Sequence, residues 1–271
     1  MTAATGTGRV IAIASGKGGV GKTWLAITLA QALGQQGRRV VLLDADLGLA
    51  NADVQLGLNP ARDIAHVLAG GATEDAALAL PAGFHLLPGR SGSGALAGLA
   101  GAALDQAVAL PRRLGASWQD VVVDLGAGVG AAQRRLAAGA DIVLVVATEE
   151  PTSLTDAYAV LKLHAGDAPA GDARLVVNLA TTAAAGQRTH ATLEAATRRF
   201  LRRGLPLAGI VRRDAKVPDA IRHQTPLLTR HPACTAAQDV RALVRGLNQP
   251  AASTSSTPAT GTPFSSRSAA S

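Results

Sequence analysis

The sequence predicts an α/β fold built on a mainly parallel sheet. Three observations carry that prediction. Short apolar runs alternate along the chain with longer amphipathic ones, the pattern of βαβ units. Of 271 residues 48% are hydrophobic but only 2% aromatic, so the core must be built from Ala, Val, Leu and Ile, as in a sheet under helices. A glycine-rich turn at 16–21 leads from the first apolar run straight into a helical pattern.

The elements follow in order. Val10-Ile11-Ala12-Ile13-Ala14 marks a first strand over 9–14, and further short apolar runs give strands at 39–44, 83–87, 119–124, 140–147, 173–179 and 206–211. Helical periodicity falls near 22–36, 63–70, 101–115, 130–138, 153–165, 187–203, 215–223 and 234–247. Residues 9–247 are long enough for one domain with a sizeable core. Residues 1–8 read as a flexible leader, and the piece from Pro88 to Gly94 as a mobile loop. Residues 248–271, rich in Ser, Thr, Ala and Pro, read as a disordered tail.

Composition excludes several classes. No apolar run approaches the ~18 residues of a membrane span, and the first apolar run leads into the glycine turn rather than a cleavage site. Cys234 is the only cysteine, so disulfides, zinc clusters and Fe–S clusters built within one chain are excluded and a reducing cytoplasm is expected. The net charge is +7, mostly from Arg; Lys occurs only at 17, 22, 162 and 216. Two of those four sites lie in the glycine turn, where a slim, mobile ammonium serves better than a planar fork.

Gly16-Lys17-Gly18-Gly19-Val20-Gly21-Lys22-Thr23 matches the phosphate-binding pattern G-x-x-x-x-G-K-[ST]. Glycines turn backbone N–H groups toward a polyphosphate, and the following helix adds its positive end. Lys22 would reach the β- and γ-phosphates, and the Thr23 hydroxyl would hold Mg²⁺. Gly16, Gly18 and Gly21 also spell the dinucleotide pattern G-x-G-x-x-G, with Asp44 placed as a ribose-binding acid. Lys22-Thr23, Asp46 and Asp124 favour a nucleoside triphosphate with Mg²⁺ over a nicotinamide cofactor. Asp44-Ala45-Asp46-Leu47-Gly48 places two carboxylates at a strand end, one to orient the metal's water shell and one the attacking water. Asp124-Leu125-Gly126-Ala127-Gly128 reads as a Mg²⁺-holding acid followed by a γ-phosphate-sensing turn, against the plainer reading of a helix cap. The run Arg198-Arg199-Phe200-Leu201-Arg202-Arg203 reads first as cations closing a helix and second as an anion-binding surface. The six histidines show no ligand spacing, and Cys234 reads as structural.

On the residues from Ser15 to Thr23 the chain resembles the MinD/ParA-type ATPases with their deviant Walker A loop. The segments 44–58, 86–89 and 150–158 resemble the flagellar-number regulator branch of that family (FlhG, also called FleN). The likeness spans about 9–247. It implies a P-loop NTPase-like sheet of seven or eight strands with helices on both faces. It also implies an ATP-dependent face-to-face homodimer with slow, partner-stimulated hydrolysis. By matching position Lys17 would cross to the partner's ATP, Lys22 and Thr23 would serve the chain's own ATP and Mg²⁺, and Asp46 would position the attacking water. Asp44 and Asp124 would support the metal, Asn178 would contact adenine, Arg213 and Asp214 would flank the base, and Glu150 would contact across the dimer. Leu125 stands where the family often has Thr. Implied partners are an SRP-type GTPase (FlhF) and a flagellar switch component or transcriptional activator. The last helical pattern lacks the Trp/Phe/Leu face of an interfacial helix, so membrane contact is not expected there, although a peripheral place at the inner membrane or cell pole stays open. The leader is shorter than the N-terminal helix by which some flagellar regulators act on the GTPase. Two other classes remain: a partitioning ATPase holding DNA through Arg patches, and a nucleotide-binding scaffold without turnover.

Overall fold

The structure, a computed structural model, describes residues 8–89 and 100–248. The expected leader (apart from Gly8), the loop beyond Gly89 and the tail beyond Asn248 lie outside the described residues.

Eight strands form one sheet: β1 (Arg9–Ala14), β2 (Val40–Ala45), β3 (Leu78–Ala79), β4 (His85–Leu87), β5 (Asp120–Leu125), β6 (Ile142–Ala147), β7 (Asp172–Ala180) and β8 (Leu207–Arg212). Their order is β3-β4-β2-β5-β1-β6-β7-β8, and every neighbouring pair is parallel except β3 with β4. The seven expected strands are all present; the two-residue β3 is too short for any periodicity to show. The connecting helices are α1 (Lys22–Gly34), α2 (Ala52–Gln55), α3 (Ile64–Leu68), α4 (Thr73–Ala76), α5 (Gly101–Leu114), α6 (Ala131–Ala138), α7 (Pro151–Asp167), α8 (Ala183–Ala196), α9 (Lys216–Arg222), α10 (Leu227–Arg230) and α11 (Thr235–Leu247).

Two helix limits differ from expectation. α7 begins at Pro151, whose fixed φ suits the first helical position and whose missing N–H costs nothing there. The helix expected over 187–203 starts at 183, where Thr182 caps the Ala185 N–H, and closes in a π-helical turn at Thr197–Leu201.

Side chains alternate across the strands. Ile11, Ile13, Leu42 and Val122 face a layer that includes α1 and α11, whereas Val10, Ala12, Val41 and Val123 face one that includes α5, α6 and α7. Helices therefore cover both faces. α1 is buried almost all round, which explains its lack of a polar stripe.

The apolar face of α11 (Val240, Leu243, Val244 and Leu247) is buried in the core beside α1 and β8. That face is not available to a lipid surface. Among the described residues no helix is long and apolar enough to cross a membrane. Leu243→Ala should therefore cost about 2–4 kcal/mol in urea unfolding; unchanged stability with altered vesicle binding would mark α11 as peripheral instead.

Candidate nucleotide site

The loop 15–21 leaves the carboxyl end of β1, beside the ends of β5 and β6. Gly19 (φ 77°) and Gly21 (φ 87°) adopt left-handed backbone that disfavours other residues. At Gly21 a Cβ would also lie 2.5 Å from the Asn178 amide nitrogen. Gly18 and Gly19 face open space, as a cradle for a ligand requires. The first turn of α1 carries no acidic side chain and no side-chain cap, so its leading N–H groups are free for an anion.

Register brings the acids together. Asp44 on β2 pairs with Asp124 on β5, and Asp124 pairs in turn with Ile13 on β1. Both carboxylates are about 1% exposed. Burial pushes Asp124 up to about 7, with Asp44 adding to the rise while Thr23 and Lys22 oppose it. Burial likewise pushes Asp44 up to about 6, against backbone hydrogen bonds that favour its charged form. Those bonds come from Ala52 (2.9 Å), Asn51 (3.0 Å) and Asp46 (3.2 Å). Asp44 thus spends its carboxylate tying the segment after β2. Asp124 Oδ1, by contrast, is buried without a partner. Lys22, 8% exposed, is pushed down by burial and held up by Asp124 and Asp46. Asp46 accepts from the Leu49 N–H at 3.0 Å and sits against Gly126, where a Cβ would lie 3.0 Å from its Oδ1.

Lys17 lies apart from this charge cluster. Its Nζ reaches Glu150 Oε2 at 2.8 Å and Thr152 Oγ1 at 3.2 Å, at the start of α7. Both side chains of the ion pair are well exposed, so screening leaves it weak and easily broken. The Lys17 contact, with Arg213 adding to it, holds the Glu150 carboxyl below its ordinary range.

Asn178 is buried beneath the loop and donates to the Val20 carbonyl at 2.8 Å; its Oδ1 has no partner. The next residue, Leu179, holds φ 56° beside a register shift between β7 and β8, a strain that fits a side chain aimed at a site. Arg213 is exposed. Asp214 accepts from the Lys216 and Ala236 N–H groups, a tie between the end of β8 and the start of α11. Leu125 is buried in the core. In the Arg run, Arg198 pairs with Glu194 at 2.8 Å and Arg199 stacks on Phe200, which fits the helix-closing reading at those two positions. Sequence reasoning missed Thr152 and Gln133. Gln133 lies against Gly126 from the side of α6, but nothing in its neighbours along the chain signals a role.

A Mg²⁺-bound triphosphate fits these residues. An uncapped helix start and open glycines would meet the anion, and the orphaned Asp124 oxygen and the Thr23 hydroxyl would be the groups to take the cation. Among the described residues no cluster of His, Cys, Asp and Glu makes a metal cage by itself. Mg²⁺ suits such a place, since it keeps waters and takes phosphate oxygens as ligands.

Fold and loop together define a P-loop nucleotide-binding α/β protein. The family model described as the CobQ/CobB/MinD/ParA nucleotide binding domain matches residues 11–227. The chain belongs to that family, and within it to the MinD/ParA-type ATPases. The "Antiactivator FleN" of Pseudomonas aeruginosa is 38% identical over 241 residues, 88% of this chain and 85% of that protein. The "Flagellum site-determining protein YlxH" of Helicobacter pylori is 38% identical over 190 residues, 69% of this chain and 64% of that one. The septum site-determining protein MinD of Pyrococcus horikoshii, solved with Mg-ADP, shares the fold at TM-score 0.74 and 23% identity, covering 89% of this chain and 96% of that one. These matches agree with the resemblance to the FleN branch.

The raised carboxyls set a pH dependence. A carboxyl whose folded value lies above its ordinary one adds stability at low pH and loses it as pH rises through the folded value. Without nucleotide, the contribution of Asp44 and Asp124 should fall between about pH 4 and pH 8. Asp124→Asn should remove most of that slope and gain ~1–2 kcal/mol over the parent at pH 8 in denaturant titrations. A difference between variant and parent that does not change with pH would refute the raised value.

Proposed function

We propose that this chain is an ATP-driven dimerisation switch with slow, partner-stimulated hydrolysis, and that it regulates flagellar number or placement. One observation carries the switch: Lys17 serves no group of its own phosphate site and stands on the rim of that face. Among the described residues, three of the four large apolar side chains that are most exposed (Leu49, Val54 and Val129) lie in the segments after β2 and β5. Such a rim suits a partner surface, and a second copy docked there would bring its Lys17 toward this site.

In this reading Lys22 and the loop 16–21 bind the triphosphate, and Thr23 and Asp124 hold Mg²⁺, with Asp44 stiffening the segment between them. Asp46 orients the attacking water. Lys17 from the second copy neutralises charge that develops on the γ-phosphoryl oxygens, as an arginine finger does. Asn178 and the 213–214 loop border the base, and Glu150 exchanges Lys17 for contacts across the dimer. The name of YlxH, a flagellum site-determining protein, supports the flagellar reading, and that of FleN, an antiactivator, supports a transcriptional activator as partner beside a flagellar switch component or an SRP-type GTPase. The pairing within the Arg run gives no support to DNA.

Lys22→Ala should lower ATP affinity on the order of 100-fold or more in equilibrium dialysis. Lys17→Ala should bind ATP within about threefold of the parent yet lose ATP-dependent dimers in light scattering, or lose hydrolysis by on the order of 100-fold. Parent-like dimers and parent-like turnover in Lys17→Ala would overturn the switch.

A further inference from the structure

Two half-buried polar side chains close over Gly126, which lies two residues beyond Asp124. The segment that holds Gly126 is pinned to the phosphate loop, because the Gly128 N–H donates to the Ser15 carbonyl at 2.9 Å. A Cβ on Gly126 would lie 3.0 Å from Asp46 Oδ1 and 3.0 Å from Gln133 Nε2. The carboxylate and the amide are therefore within about 6 Å of each other. Among the described residues no hydrogen bond joins them. Two hydrogen bonds of about 2.8 Å through one water cover such a span.

Each group has an atom to spare. Asp46 uses Oδ1 for the Gly48 and Leu49 N–H groups, at 3.2 and 3.0 Å, which leaves Oδ2. Gln133 is the third residue of α6, and its Oε1 turns toward Gly130, where a Cβ would lie 2.5 Å from it. The leading N–H groups of a helix favour an oxygen there, so the amide N–H groups are turned toward Asp46. A Gln at this position can instead close its own helix by bonding the preceding N–H. Among the described residues the Gln133 amide makes no hydrogen bond of that kind. Asp46 also lies within electrostatic reach of Lys22, so the pair borders the phosphate site.

We propose that Gln133 is a second positioning group for the attacking water, its amide and the Asp46 carboxylate holding one water between them beside Gly126. The proposal rests on the reading that Asp46 orients that water. The water would accept from the Gln133 N–H and donate to Asp46 Oδ2, which leaves one lone pair to face the γ-phosphorus. Its oxygen bonds to that phosphorus as the bond to the β–γ bridging oxygen breaks. One water proton passes through Asp46 to the released phosphate, and ATP and water become ADP and phosphate.

The test uses the full chain with Mg²⁺. Gln133→Leu keeps the size of the side chain and removes the amide. By calorimetry it should bind Mg-ADP within about threefold of the parent, yet bind Mg-ADP with aluminium fluoride, a mimic of the in-line phosphoryl group, about tenfold more weakly. Its single-turnover hydrolysis should fall on the order of tenfold or more. Gln133→Glu suits the start of α6, but its carboxyl faces Asp46 and can donate only when protonated. Its rate relative to the parent should therefore climb as the pH falls from about 8 to about 6. A residue that only supports α6 would show no such climb. Parent-like aluminium fluoride affinity and turnover in Gln133→Leu, or a Gln133→Glu rate with the parent's pH dependence, would overturn the proposal. Asp46→Asn tells the two failures apart. If it is slow while Gln133→Leu matches the parent, only the role of Gln133 falls; if it too matches the parent, the reading of Asp46 falls as well.

Discussion

The parallel register of β1, β5 and β2 is the constraint on which the site depends. It sets Asp44 and Asp124 side by side at buried strand ends, with the phosphate loop leaving the next strand. Two like charges with so little water repel, and burial raises both carboxyls. The fold tolerates them because Lys22 lies within electrostatic reach and because Asp44 is tied to backbone N–H groups. The orphaned oxygen of Asp124 remains. A divalent cation with its phosphate and water ligands would relieve that oxygen, so ligand binding and relief of the buried charge are one event.

The ends of this arrangement could be read in the sequence; its cross-links could not. β1, the glycine loop and the start of α1 are contiguous, so their chemistry appears as a motif. The strands showed as runs of Val, Ile, Leu and Ala because a parallel sheet covered on both faces wants apolar residues throughout. β3, α2, α4 and α10 have two or four residues each, too few for a period to register. The Lys17–Glu150 pair joins residues 133 apart in sequence, and the Asn178–Val20 bond joins residues 158 apart. No local pattern announces such contacts. His164 illustrates the same limit: among six histidines without ligand spacing, only the fold shows that this one is buried and idle.

α7 connects two regions that the sequence left unrelated. Its first turn carries Thr152, beside Glu150 and Lys17, and its last turn carries His164. Twelve residues of helix, about 18 Å, separate Thr152 from His164. The His164 ring also forms part of the wall of a small cavity, about 20 Å³, shared with Gly126, Gly128 and Val129 of the segment after Asp124. One helix thus touches the rim lysine, the segment after Asp124, and a larger cavity of about 190 Å³ at the far end of the sheet.

Transfer of a lysine between subunits is the central claim, and mixing two crippled chains tests it most directly. A Lys22→Ala chain lacks its own triphosphate anchor but still presents Lys17. A Lys17→Ala chain binds ATP but has no ammonium to lend. Hydrolysis should reappear when the two are combined, and it should grow with their concentration. A mixture as inert as its parts would contradict the claim.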